Sequence, residues 1–122
     1  MNEMGEKKAR KAITDILLDI SAGEHLLGFP MLEDAILAWM NGEHRNIYKT
    51  LAVKYSCTAQ VAERRIRKCI EYAFQNCSHR VLDGYLYGTV SVWKEKTSNY
   101  LFFARIARKA QEKLEWGEID GD

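Results

Sequence analysis

Apolar residues recur along this chain at three- and four-residue spacing, the period of helices that bury one face. Ile13, Ile16, Leu17 and Ile20 mark a first helix over about Lys7 to Ile20, with Gly23 following its end. Pro30 suits the first turn of a second helix, roughly Pro30 to Asn41, with Leu32, Ala35, Ile36 and Trp39 inward; Asn41 and Gly42 stop it. A third helix, Ile47 to Tyr55, carries Leu51, Ala52 and Tyr55. Ser56 to Thr58 make a tight turn, and Thr58 is placed to cap a long fourth helix lasting to about Gln75. Val81 to Leu86 predict a short helix. The β-branched run Thr89 to Trp93 reads as extended chain or loop. Asn99 is the expected cap of a last helix, Tyr100 to about Trp116, and the tail beyond is expected to fray. The expectation is an all-α, six-helix domain containing a helix-turn-helix over Ile47–Phe74, with the whole of residues 1–122 forming a single domain.

The fourth helix is divided most sharply. With an advance of about 100° per residue from Gln60, Glu63, Arg64, Arg67 and Glu71 fall within about 60° either side of it. Ala62, Ile66, Cys69, Ile70 and Ala73 are the expected buried set. A helix buried on one side and displaying Gln, Glu and Arg near its N-terminus suits a DNA major groove. An ordinary amphipathic surface helix keeps its charges solvated in the same way. Trp39, Tyr55, Phe102 and Trp116 read as core or packing residues rather than a stacking platform.

Charge separates the two readings. The net charge is only +1, but residues 12–44 hold six acidic residues and no Lys or Arg. Residues 45–80 hold eight basic residues against Glu63 and Glu71, a balance of +6 centred on the fourth helix. Such a block is the footprint of polyanion binding, with the acidic first third expected to face away from it. Within it Gln60, Glu63 and Arg64 are the candidate base contacts. Arg64 can fork onto guanine; Glu63 can accept from cytosine or pair with Arg67 one turn on. Lys49, Lys54, Arg65, Arg67, Lys68, Lys94 and Lys96 are candidate backbone contacts.

Composition excludes other classes. No apolar run approaches the roughly 20 residues of a membrane span, and the N-terminus lacks the apolar stretch of a secretory signal. Cys57, Cys69 and Cys77 form no CxxC pair, and with His25, His44 and His79 show no metal-ligand spacing. No nucleophile with a base, Gly-rich phosphate loop or carboxylate pair stands out. A cytoplasmic protein with no enzyme activity, metal or cofactor is the expectation.

The segment CTAQVAERRIRKCIEYAF resembles the recognition helix of the C-terminal effector domain of the stage-zero sporulation master regulator of endospore-forming bacteria. His25, Gly28 and Phe29, then Leu32, Ala35 and Ile36, resemble that family's His-x-x-Gly-aromatic turn and following helix. Ala52, Lys54 and Tyr55 match its first helix-turn-helix element. Tyr87 to Val92, with Gly88, Thr89, Val90 and Ser91, resembles its Gly-Tyr-Thr-Val-Ser segment, and Lys94, Lys96 and Asn99 its basic loop. The resemblance covers about residues 12–110. It implies a six-helix fold with the fourth or fifth helix in the major groove of double-stranded DNA. It also implies head-to-tail pairing of two copies on tandem sites, and contacts to RNA polymerase sigma factors.

The departures are specific. Val61 stands where the family has an arginine and Arg65 where it has an alanine; the loop Gly42 to Asn46 is shorter, and Thr97 replaces a proline. Family members also carry a phosphorylatable receiver domain, and none precedes the effector segment here. The chain is therefore either part of a longer regulator or a free-standing effector whose affinity ignores phosphorylation, with Met1 favouring a natural start. Two functions follow. The first is a sequence-specific, double-stranded DNA-binding transcription regulator. The alternative is a protein-interaction module that pairs with a full-length regulator and modulates it without reading DNA itself, which the missing arginine at Val61 and the acidic first third favour.

Overall fold

Gly28 begins the second helix because nothing larger fits. A Cβ built there would lie 2.2 Å from the backbone oxygen of Arg65 and 3.1 Å from Cys69 Sγ. The computed structural model describes residues 3–86 and 98–117, and among these it forms six helices and no strand. They are α1 (Glu3–Asp19), α2 (Gly28–Met40), α3 (Ile47–Tyr55), α4 (Ala59–Asn76), α5 (His79–Leu86) and α6 (Asn99–Glu115). The most apolar of them, α2, packs against α1, α3, α4 and α6, while α5 lies on α6. The all-α expectation holds. The run Thr89 to Trp93 lies outside the described residues.

The core follows the sequence periodicity closely. Ile13, Ile16 and Leu17 of α1 meet Leu32, Ala35 and Ile36 of α2 and Phe102, Phe103 and Ile106 of α6 in one buried cluster. The five α4 residues expected inward are all fully buried. Phe74, on the polar side by angle, packs half-buried against this core from the last turn. Trp116 departs from expectation: it sits just beyond α6 and is 75% exposed.

Helix ends show where the local reading was short. Helix α1 starts one turn before Lys7, with Glu3 and Glu6 in its first turn where carboxylates favour the N-terminal dipole. It stops at a Schellman turn in which Ala22 N donates to Leu17 O at 3.0 Å and Ser21 takes a left-handed φ of 57°. A serine, not a glycine, therefore closes α1. The same device ends α2, where Glu43 N donates to Ala38 O at 2.9 Å and Gly42 is left-handed, as the Asn41-Gly42 signal predicts. Thr58 caps α4 as expected, its Oγ1 accepting from Val61 N at 3.1 Å. On α6 the cap is Ser98, whose Oγ accepts from Leu101 N; Asn99 is instead the first helical residue, with its side chain turned inward.

Two glycine substitutions test this packing. Gly28→Ala forces a Cβ against backbone that cannot swing aside and should cost about 3 kcal/mol. Gly84→Ala, within α5 with nothing within 4 Å of the added carbon, should stabilise by about 0.5–1 kcal/mol through helix propensity. Urea unfolding of both variants measures the contrast; a Gly28→Ala cost near zero would contradict the close approach of α2 to α4.

Candidate nucleic-acid interface

Helix α3, the residues Ser56, Cys57 and Thr58, and α4 form a helix-turn-helix. The reversal needs a left-handed residue, and Ser56 supplies it at φ 53°, with Cys57 N donating to Ala52 O at 3.0 Å. Capping by Thr58 then leaves the first turn of α4 facing solvent. Gln60, Glu63, Arg64, Arg67 and Glu71 line one open cleft of about 710 Å³, together with Tyr48 from α3 and Ser98, Asn99 and Tyr100 at the start of α6. The polar stripe counted from the sequence is thus one continuous surface. Gln60, Glu63 and Arg64 are exposed upon it.

The candidate backbone contacts are spread more widely. Lys49 and Lys68 are exposed, on α3 and α4. Arg65 is half-buried, and its carbonyl is the group that α2 approaches at Gly28. Arg67 is tied down: Nη1 donates to Asn99 Oδ1 at 3.3 Å, and Nε lies 3.4 Å from Glu71 Oε2. Its ion pair thus runs forward to Glu71. Lys54 is engaged away from the cleft, its Nζ 2.8 Å from Asp34 Oδ2. Lys94 and Lys96 lie outside the described residues, as do Tyr87 to Val92 and Thr97.

Asp34 is the electrostatic hinge of α3. Its carboxylate accepts from Arg10 Nη2 of α1 at 2.7 Å, from Lys54 Nζ at 2.8 Å and from Tyr55 Oη at 2.6 Å. Burial pushes its pKa up, but these three donors outweigh burial and hold it below the usual carboxylate value. Burial, then the same carboxylate, raise the Tyr55 pKa, so the phenol stays a donor. The acidic first third does not therefore face away from the basic block: Asp34 sits directly against Lys54. Glu33 beside it accepts from Thr14 and lies 3.9 Å from Arg10, which carries the pairing into α1.

Sequence reasoning missed Asp34, Tyr48 and the inward role of Asn99. Tyr48 is pushed up to about 12, mainly by burial, and its oxygen accepts from Asn99 Nδ2 at 3.0 Å. Tyr100 stacks on it with centroids 5.8 Å apart. The one local signal was the Ser-Asn pair at 98–99, where a serine cap leaves the asparagine side chain available for another task. Cys69 is buried and its thiol is pushed up to about 11 by that burial, so it behaves as core. Among the described residues no group of three or more His, Cys, Asp or Glu is placed to hold a metal ion, and no helix is long and apolar enough to cross a membrane.

A helical domain organised around a helix-turn-helix, with a charged and open face on its second helix, has the architecture that DNA-binding regulators use. The family model described as sporulation initiation factor Spo0A C terminal matches residues 13–110, and the chain belongs to that family. In general terms it is a DNA-binding domain of a sporulation regulator, a regulatory rather than an enzymatic family. No solved structure matches the chain closely enough to count as a relative.

Asp34 yields a pH-dependent prediction. Folding lowers its pKa from 3.8, so its contribution is complete above that value and is lost as pH falls through the lower folded-state value. Asp34→Asn should cost about 1–2 kcal/mol at pH 7, discounted because Arg10 and Lys54 are partly exposed and screened. The difference from wild type should shrink below about pH 4, where the carboxylate of the unfolded chain takes up a proton before the native one does. Thermal unfolding between pH 3 and 7 follows both; a pH-independent difference would mean that the charge is not what matters.

Proposed function

We propose that α4 is the recognition helix of a sequence-specific, double-stranded DNA-binding transcription regulator, entering the major groove with Gln60, Glu63 and Arg64 at base edges. The observation that carries this reading is the shared exposure of those three side chains on the first turns of a capped helix, the part of a helix-turn-helix that reaches bases. Lys49, Arg65, Arg67 and Lys68 then serve the backbone on either side. Lys94 and Lys96, which precede α6 in the sequence, join them, and Lys54 joins if phosphate displaces Asp34. Residues 1–122 act as one domain in the cytoplasm, and two copies bind tandem sites head to tail, with sigma factor as a further partner. None of this calls for a cofactor.

A second reading draws on Val61, where the resemblance leads one to expect arginine, and on Val53, which is 85% exposed on α3. In that version the domain pairs with a full-length regulator and modulates it without reading DNA.

Competition titration over a randomised duplex pool at two salt concentrations separates the two. Arg64→Ala should cost about 1–3 kcal/mol on the preferred site and relax preference at one base pair. Lys49→Ala should weaken preferred and random duplexes alike, and lower the salt slope by about 0.9, one phosphate's worth. Identical behaviour of the two variants would remove the recognition-helix assignment. A wild-type chain with no preference at all would hand the case to the interaction module.

A further inference from the structure

Asn99 is the single buried polar side chain among the described residues, 8% exposed. It does not cap its helix, because Ser98 does. Its amide is used at both ends instead. Nδ2 donates to Tyr48 Oη at 3.0 Å, and Oδ1 accepts from Arg67 Nη1 at 3.3 Å. A guanidinium only donates, so Arg67 fixes which end of the amide is oxygen. One residue of α6 thereby joins α3 to α4 within the lining of the open cleft.

The chemistry of this contact differs from that of the neighbouring ion pair. Glu71 is 56% exposed and one turn along the same helix from Arg67, an arrangement that solvent screens and an incoming anion can displace. The Asn99 oxygen is neutral and belongs to a largely buried residue. It orients the guanidinium without cancelling its charge, whereas a carboxylate at the same place would do both.

We propose that Asn99 is a positioning residue for Arg67, holding its guanidinium at the cleft, charge intact, for a backbone phosphate of duplex DNA. The proposal rests on reading α4 as the DNA-contacting helix, and it assigns to α6 a part in setting the contact surface of α4.

The test has two arms, both on the full chain. The first needs no DNA: the guanidinium Nη–H resonance of Arg67, the group that donates to Asn99, is followed by low-temperature NMR in wild type, Asn99→Leu and Asn99→Asp. A resolved, slowly exchanging signal in wild type and Asn99→Asp, lost in Asn99→Leu, supports positioning; an unchanged signal in a folded Asn99→Leu overturns it. If Asn99→Leu does not fold, Asn99→Asp carries the test in the second arm. There, duplex affinity is measured against salt. Asn99→Asp should lower the slope of log affinity on log salt by about 0.9 and affinity by about tenfold at low salt. In an Arg67→Gln background the same substitution should change neither. Equal effects in both backgrounds would show that Asn99 does not act through Arg67. If the wild-type chain binds no duplex, the DNA reading falls and the phosphate role with it, while the first arm still decides whether Asn99 orders Arg67.

Discussion

The contact between Gly28 and the carbonyl of Arg65 sets the distance at which α2 meets α4, and much of the architecture follows from that distance. A methyl group at position 28 would push the start of α2 off the middle of α4, where Ile66, Cys69 and Ile70 are buried. Because α2 also touches α1, α3 and α6, a shift there would be felt across the core, which is too densely packed to absorb it locally. The exposed face of α4 is what remains once α2 and α3 have covered the other faces. Gln60, Glu63 and Arg64 are presented to solvent because the opposite side is seated on a glycine.

The first helix of the helix-turn-helix is held differently. Of the nine residues of α3 only Ile47 and Leu51 are buried, too little apolar surface to fix a short helix by packing alone. Polar ties complete the work from two directions. Asp34 of α2 grips the C-terminal end through Lys54 and Tyr55, and Asn99 of α6 holds the N-terminal end through Tyr48. Arg10 extends the first tie into α1. A hydrophobic contact tolerates sliding, whereas these hydrogen bonds fix direction, so the orientation of α3 against α4 is set by a few named groups.

Local signals carried the fold and only part of the site. Period and punctuation located six helices, the Thr58 cap, the Asn41-Gly42 stop and the buried face of α4, because each depends on residues within one or two turns. Ser21 was not legible, since a left-handed serine replaces the glycine that usually announces a helix end. Asp34, Tyr48 and Asn99 were hidden for another reason: their partners lie 20 to 51 residues away in sequence, and apart from the Ser98 cap beside Asn99 nothing local marks them. Charge counted along the chain misled outright at one point. It separated acidic from basic segments, while the fold sets Asp34 against Lys54. Trp116 misled similarly, since an aromatic residue at helical spacing just past the last turn had no core left to enter.

This arrangement of charge bears on how such a domain would select DNA. The chain carries a net charge of only +1, and the α4 stripe balances Arg64 and Arg67 with Glu63 and Glu71. Lys54 is paired within the fold. A stripe so balanced generates little long-range attraction of its own, so counterion release there supplies less non-specific affinity than a uniformly basic helix would. That part falls to basic residues beside it such as Lys49 and Lys68. On the proposed reading, binding must then draw on contacts that form only in the right register. That places the burden on side chains held in position before DNA arrives. Arg67, anchored on a neutral amide, is one; Arg64, exposed one turn before it, gains selectivity only if a guanine stands where the backbone contacts put it. Val61 sharpens the same balance, since an arginine there would add affinity for any phosphate. Weak general attraction with positioned contacts favours discrimination over occupancy.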